Sequence, residues 1–434
     1  MKYLGLDIGT TTISAVVTEG SRVLASLTQP NDSAIPAAHP MERLQDPVRI
    51  RARVLAALSQ LLKDYPEIAG IGVTGQMHGI VYLNAAGVPV SPLYTWQDGR
   101  GNLPYDKQRS YAGFLSTLTG YDLSTGFGLV TYFYNQTNGL VPESAVVFCT
   151  IHDYIAMVLA GNTTPVTEAS DAASFGLFSV EKSCYDAEAL AKAGIDPAML
   201  PALAPNPCIG VYEGSIPVYA AIGDNQASFL GATGGDRACM LVNVGTGSQF
   251  SVFSPDYLSC PGLETRPFPG GYLIVGASLC GGRAYALLER FLASAAEVVT
   301  GVPADSCYEA MDRALSRGEK PDNLPNLTPL FQGTRENPAL RGSITGLDPE
   351  NFTFPHLIWA MLEGMAEELH AMYLRYIDCS HKTARLVGSG NGLRKNKHLQ
   401  ASFSRCFGQP LQMSDCLEEA AVGATLYAAI HQAQ

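Results

Sequence analysis

Charge is scarce in this chain. Charged residues fill 16% of its 434 positions, against 47% apolar. Disorder needs the opposite balance, so it is excluded, and the length suits two or three domains with sizeable cores. Basic clusters are scarcer still. The formal net charge is -12, and the basic residues concentrate only at Arg394, Lys395 and Lys397, with His398 beside them. Such a group reads as a solvated helix start or as a contact near a nucleotide. It is not the basic face a nucleic acid selects, so no nucleic-acid partner is expected. No apolar run approaches the ~18 residues of a membrane span, so no membrane partner is expected either. The apolar start of the chain is short and broken by Asp7, which argues against a signal peptide. None of the ten cysteines forms a Cys-x-x-Cys pair. That argues against zinc and suits buried thiols in a reducing compartment. A cytoplasmic protein is predicted.

Two common nucleotide signatures are also missing. No Gly-x-x-x-x-Gly-Lys-Ser/Thr occurs, and no Gly-x-Gly-x-x-Gly follows the first predicted strand. What the chain has instead is a repeated hairpin. Tyr3–Leu6 and Ile13–Thr18 read as β-branched strands around the turn Asp7–Thr12, and Ser21–Gln29 as a third strand. Ala238–Phe253 repeats the pattern, with Gly245-Thr246-Gly247 at its turn. A polar residue stands two positions before the Gly-Thr in each case. Two such hairpins heading two similar halves predict a duplicated domain. The expected division is 1–234 and 235–434, with a hinge near Gly231–Gly235.

Helical spacing over Val48–Lys63, followed by the apolar strand Ile68–Val73, extends the first half into a mixed α/β sheet. In the second half, Ile358, Leu362, Met365, Leu369 and Met372 share a helix face, and Arg385–Val387 reads as a strand before Gly388–Gly392. Asp415, with Glu418 three residues on, reads as the cap of a final helix rich in small residues, able to pack closely on a neighbour.

Three Gly/Thr/Ser turns therefore follow apolar strands: Asp7–Thr12, Asn243–Ser248 and Gly388–Gly392. Consecutive N–H groups and hydroxyls in such turns are what a polyphosphate needs. Asp7 reads as a turn residue or as a Mg²⁺ contact. Asp224, after the apolar run Val218–Ile222, reads as a helix cap or as a general base for an alcohol attacking a phosphoryl group. The segments Gly75-Gln76-Met77-His78-Gly79 and Thr95-Trp96-Gln97-Asp98-Gly99-Arg100 are polar, bulky and glycine-bounded, as loops lining a sugar pocket are. The alternative for His78 and Trp96 is a place in the core.

Taken together these segments resemble the FGGY family of carbohydrate kinases, of the actin/hexokinase/Hsp70 superfamily. The motifs carrying the resemblance are Asp7-Ile8-Gly9-Thr10-Thr11, Gly75–Gly79, Gly223-Asp224-Asn225-Gln226, Gly245-Thr246-Gly247-Ser248 and Gly388-Ser389-Gly390. The stretch Phe331–Pro338, with Arg341-Gly342, is similar to the loop before the family's long C-terminal helix. The resemblance implies two actin-like, ribonuclease H-like α/β lobes with an interdomain cleft that closes on its substrates. It also implies ATP and Mg²⁺, a small ketose as acceptor, and leaves a homodimer open. Residue by residue it implies Asp224 as general base and Asp7 for Mg²⁺. Gln76, Met77, His78, Gly79, Trp96, Asp98 and Asn225 would line the sugar site. Thr10, Thr11, Thr12, Gly245, Thr246 and Gly247 would hold phosphates, and Gly388, Ser389, Gly390, Asn391 and Asn396 would border the adenosine. Thr95–Arg100, Ser124–Gly128, Thr150-Ile151-His152-Asp153-Tyr154 and Val275–Leu279 resemble the sedoheptulose-phosphorylating branch, whereas Gln76–Gly79 is shared with xylulokinases. Ser14 stands where many relatives carry Lys.

Overall fold

A computed structural model describes every residue except 335, 336, 338, 433 and 434. The loop expected at Phe331–Pro338 thus lies partly outside the described residues. The chain divides into two compact units: Met1–Gly235, Arg266–Gly270 and Cys416–Gln434 form the first, and Asp236–Thr265 and Gly271–Asp415 the second.

The first unit is built on a sheet whose centre is β1 (Lys2–Ile8), antiparallel to β2 (Thr12–Glu19), which pairs with β3 (Arg22–Pro30). Helix α1 (Pro47–Asp64) is capped by Asp46, whose carboxylate accepts from the N–H groups of Val48 and Arg49, and Pro47 fits the first turn because that turn needs no donor there. It leads into β4 (Ile68–Gly75), parallel to β1. Short helices follow, among them α2 (Gly128–Thr137), α3 (Ile151–Leu159) and α4 (Ala169–Phe175). Strands β5 (Cys208–Tyr212) and β6 (Ile216–Tyr219) complete that edge of the sheet. A two-residue strand, β7 (Ile222–Gly223), pairs with the far end of β4 and opens into α5 (Asp224–Thr233). Leu4, Leu6, Ile13, Ile71 and Val73 are wholly buried, forming one core with Ile50, Val54 and Leu58 of α1. A second, aromatic core gathers Tyr82, Phe148 and Phe175.

The second unit repeats the motif. Strand β8 (Cys239–Val244) is antiparallel to β9 (Ser248–Ser254), which pairs with β10 (Gly271–Ser278). Helix α6 (Gly281–Thr300) follows, then the long α7 (Phe354–Ser380). Strand β11 (Arg385–Ser389) runs parallel to β8, as β4 does to β1. Helices α8 (Asn391–Lys395) and α9 (Lys397–Cys406) and the edge strand β12 (Gln412–Met413) close it.

The last helix, α10 (Glu419–Gln432), belongs to the first unit, which differs from the continuous 235–434 lobe expected above. Close packing is the reason. A Cβ on Gly72 of β4 would lie 1.9 Å from Ala424 O, one on Gly5 of β1 2.0 Å from Ala421 O, and one on Gly231 of α5 1.9 Å from Glu419 O. Glycines on both strands and on α5 thus admit the small-residue helix to backbone contact. Gly231 is therefore a packing residue inside α5, while Gly234, at φ 64°, ends that helix. The helix also starts at Glu419 rather than after an Asp415 cap. Asp415 ends the second unit, and Glu418 accepts from the Thr28 hydroxyl at 2.8 Å instead of completing a capping box.

Candidate active site

Parallel pairing gathers the acidic and polar groups of the first unit at one end of its sheet. Asp7 is the register partner of Thr74, Ile8 of Gly75, and Gly75 in turn of Gly223. Three adjacent strands therefore end together, with Asp7 one residue before the end of β1, Gln76 just past β4 and Asp224 just past β7. Asp7 lies within its strand, where the sequence suggested a turn. Thr74 hydroxyl donates to Ile222 O at 2.7 Å and Gln76 N–H to Ile8 O at 3.0 Å, which pins the three ends.

Asp224 is the first residue of α5. Burial pushes its carboxyl above the usual range, only partly countered by His152, the Asn225 N–H and Arg266. Asp7 is pushed up to about 7, first by burial, then by the neighbouring Asp224 and Glu418 carboxylates. Carboxylates crowded this way favour either a proton or a cation. Among the described residues no group of three or more His, Cys, Asp or Glu could cage a metal ion.

The Gly75–Gly79 segment reaches Asp224 through Asn225. The Asn225 amide donates to Asp224 Oδ1 at 3.2 Å and approaches Met77 Sδ at 3.7 Å. Gly223 packs against the same side chain, a Cβ there lying 2.6 Å from Met77 Sδ. His78 adopts φ 71°, a left-handed conformation rare outside glycine. Its N–H donates to Ser174 Oγ at 3.1 Å, its Nδ1 lies 2.7 Å from Ser174 O, and its ring stacks on Phe127 at 4.6 Å. Gly79 packs on Tyr94, whose carbonyl would be 2.7 Å from a Cβ. Trp96 leaves nearly half its surface exposed and donates through Nε1 to Thr10 Oγ1 at 2.9 Å. Asp98 is different. It is buried, one oxygen accepting from Arg100 Nε and the other from Arg100 Nη2, both at 3.0 Å, so its charge is spent on fixing the Trp96 turn.

The first Gly-Thr turn presents donors because its carbonyls are held from behind. Gly9 O accepts from the Asn31 amide, Thr11 O from Asn31 N–H and Thr10 O from the Gln45 amide, each at 2.8 Å. Thr11 and Thr12 are exposed. Gln45, which also accepts from the Gln76 amide at 2.8 Å, was not singled out in the sequence. An isolated glutamine in a short strand carries no local signal. Ser14 is buried and hydrogen-bonded to Thr28 at 3.0 Å.

In the second unit, Gly245 O and Thr246 O accept from the first N–H groups of α6, Gly282 at 2.9 Å and Arg283 at 3.0 Å. A Cβ on Gly282 would lie 2.4 Å from Gly245 O, so glycine is required for this seating. The Asn243 amide donates to Ser389 Oγ at 2.8 Å, joining this turn to Gly388-Ser389-Gly390. Gly390, at φ 87°, lies against Val244, and Gly388 against Leu411 and Met413. Asn391 begins α8 and is exposed. Asn396 caps α9, accepting from Leu399 N–H at 2.9 Å, which occupies its side-chain oxygen.

Comparison with known proteins gives the family. Residues 2–231 match the N-terminal domain, and residues 240–431 the C-terminal domain, of the FGGY family of carbohydrate kinases. Mouse (Mus musculus) sedoheptulokinase is 31% identical over 98% of this chain and 96% of its own length. Xylulose kinase of Staphylococcus xylosus is 26% identical over 92% of this chain and 84% of its own. The fold is that of xylulose kinase from Rhodospirillum rubrum, with TM-score 0.83 at 23% identity over 100% of this chain and 90% of that one. It is also that of Plasmodium falciparum glycerol kinase with ADP, with TM-score 0.81 at 18% identity over 99% and 89%. With both domains matched, and with paired Gly-Thr hairpins on two actin-like α/β units, the chain belongs to the FGGY family of carbohydrate kinases, ATP-dependent enzymes that phosphorylate sugars.

Proposed function

We propose that this kinase phosphorylates the terminal hydroxyl of a ketose, with sedoheptulose as its preferred substrate and sedoheptulose 7-phosphate as product. The observation that carries the reading is Asp224 at the end of β7, with the Asn225 amide reaching both it and Met77 of the Gly75–Gly79 segment. The choice of sugar rests on the Trp96–Arg100 and Thr150–Tyr154 strings and on the likeness to the mouse enzyme.

In this reading Asp224 accepts the proton of the attacking hydroxyl. A carboxyl raised by burial is a better base than a solvated one, provided it is ionised at the working pH. Amide and imidazole groups of Asn225 and His78 orient the vicinal hydroxyls, and the exposed face of Trp96 takes the C–H face of the sugar. Donors of Thr10, Thr11 and Thr12 meet the terminal phosphates. In the second unit Gly245, Thr246 and Gly247 are the phosphate-binding groups of this reading, and Gly388–Gly390 border the adenosine. Asp7 would help hold Mg²⁺, which would supply charge neutralisation for the phosphates.

Gln76–Gly79 and the Staphylococcus relative favour a second reading, a xylulose kinase. Comparing kcat/KM for sedoheptulose, D-xylulose and D-ribulose decides. A preference for sedoheptulose of about tenfold is expected, the size of discrimination one buried hydroxyl contact supplies. A tenfold preference for a pentulose overturns the assignment.

A further inference from the structure

The reading above leaves His152 and Asp171 without a part, yet both stand behind the strand ends that carry Asp224. His152 lies in the first turn of α3 and Asp171 in the first turn of α4, both fully buried, with His152 Nε2 2.9 Å from Asp171 Oδ1. On its other side the imidazole meets β4, where a Cβ on Gly75 would lie 3.1 Å from His152 Nδ1. Gly75 is the register partner of Gly223. Ser170, next to Asp171, accepts the Gly223 N–H through its hydroxyl at 3.1 Å. The residue before Asp224 is thus held on one side by β4, against which His152 is packed, and on the other by the turn that carries Asp171.

An apolar side chain would fill this space at less cost, since burying an imidazole and a carboxylate forfeits their hydration. The surrounding charges make the cost larger. Asp153 faces both members of the pair, Glu168 faces Asp171, and Asp224 itself is faced by Asp7 and Arg266 as well as by His152. A polar pair retained in such a place points to a task that apolar packing does not perform.

We propose that His152, fixed by Asp171, is a positioning residue for Asp224, setting the aim of the carboxylate through Gly75 and Gly223. The inference rests on the reading of Asp224 as the base. Misplacing a reacting group by about 1 Å costs on the order of 10²-fold. His152→Leu should therefore lower kcat by about 10- to 100-fold while KM for ATP and for the ketose stays within about threefold. His152→Gln, which keeps a polar amide beside Asp171, should recover kcat to within about fivefold of the parent. Unchanged kcat in His152→Leu overturns the inference, and so does an equal loss in both variants. Should His152→Leu not fold, the imidazole ¹⁵N shifts of His152 in Asp224→Asn take its place. They should move relative to the parent, and unmoved shifts overturn the inference. Undiminished turnover in Asp224→Ala would instead remove the base, whatever the His152 variants do.

Discussion

The two Gly-Thr hairpins share a backbone and differ in charge. Each has a strand antiparallel to the next and parallel to a third, and each has a polar residue two positions before the Gly-Thr. In the first that residue is Asp7, pushed up to about 7 among Asp224 and Glu418. In the second it is Asn243, neutral and bonded to Ser389. The first turn is braced by side chains from elsewhere in its unit, Asn31 and Gln45, whereas the second is braced by the start of the helix that follows. In the proposed reading a duplicated scaffold supplies donors for phosphate twice. The acid stands on one side only, where Asp224 lies close enough to help push the Asp7 carboxyl up.

The comparison can be tested from its largest consequence downward. If chemistry resides in the first unit, Asp224→Ala should lower kcat by roughly 10²–10⁴-fold with nucleotide affinity by calorimetry unchanged. A parallel loss of ATP binding would blur the division. Next is the response to pH. Asp153 is pushed up to about 8, and Asp171 well above its ordinary range, chiefly by burial, whereas in the second unit Glu368 is the one carboxylate so raised among the described residues. A carboxyl with a folded pKa above its unfolded value binds the proton more tightly in the fold. Its contribution therefore falls as pH rises from about 4 toward 8. Hydrogen exchange should find the first unit more stable at pH 6 than at pH 8 by about 2 kcal/mol, with a smaller change in the second. Equal slopes would dissolve the contrast.

Charging the neutral hairpin is the third test. Asn243→Asp should weaken ATP about tenfold, or about 1.4 kcal/mol, because a carboxylate there loses the donation to Ser389 and faces phosphate. Undiminished affinity would mean the two hairpins tolerate the same charge. The smallest effect concerns the link from turn to sugar loop. Trp96→Phe deletes one hydrogen bond to Thr10 and should raise KM for the ketose by about three- to tenfold, about 1 kcal/mol, leaving KM for ATP nearly unchanged.

The duplicated hairpins and the strand-to-turn motifs were legible in the sequence because they are local. Period-two apolar strands ending on Gly-Thr determine their own backbone, and β1, β2, β8 and β9 fall where the pattern put them. The helix Pro47–Asp64 was legible for the same reason. Illegible features are those set by distant partners. The Arg43 N–H that Asp98 accepts comes from a residue 55 positions earlier, which no local pattern announces. Gln45 and Asp171 carry no local pattern at all. Their meaning comes from Gln76 and His152, which lie far along the chain. The glycines that admit the last helix to β1 and β4 read as ordinary strand residues.

That last helix bears on how the molecule is made. The unit containing Met1 is completed only by Cys416–Gln434, so its central strands wait for a segment synthesised after residues 236–415. Domains that fold in order of synthesis finish at the N-terminus first. Here the order is reversed: the nascent first unit holds Gly5 and Gly72 uncovered until α10 arrives. Loss of α10 would thus damage the unit that carries Asp7 and Asp224 and spare the one that precedes the helix in sequence.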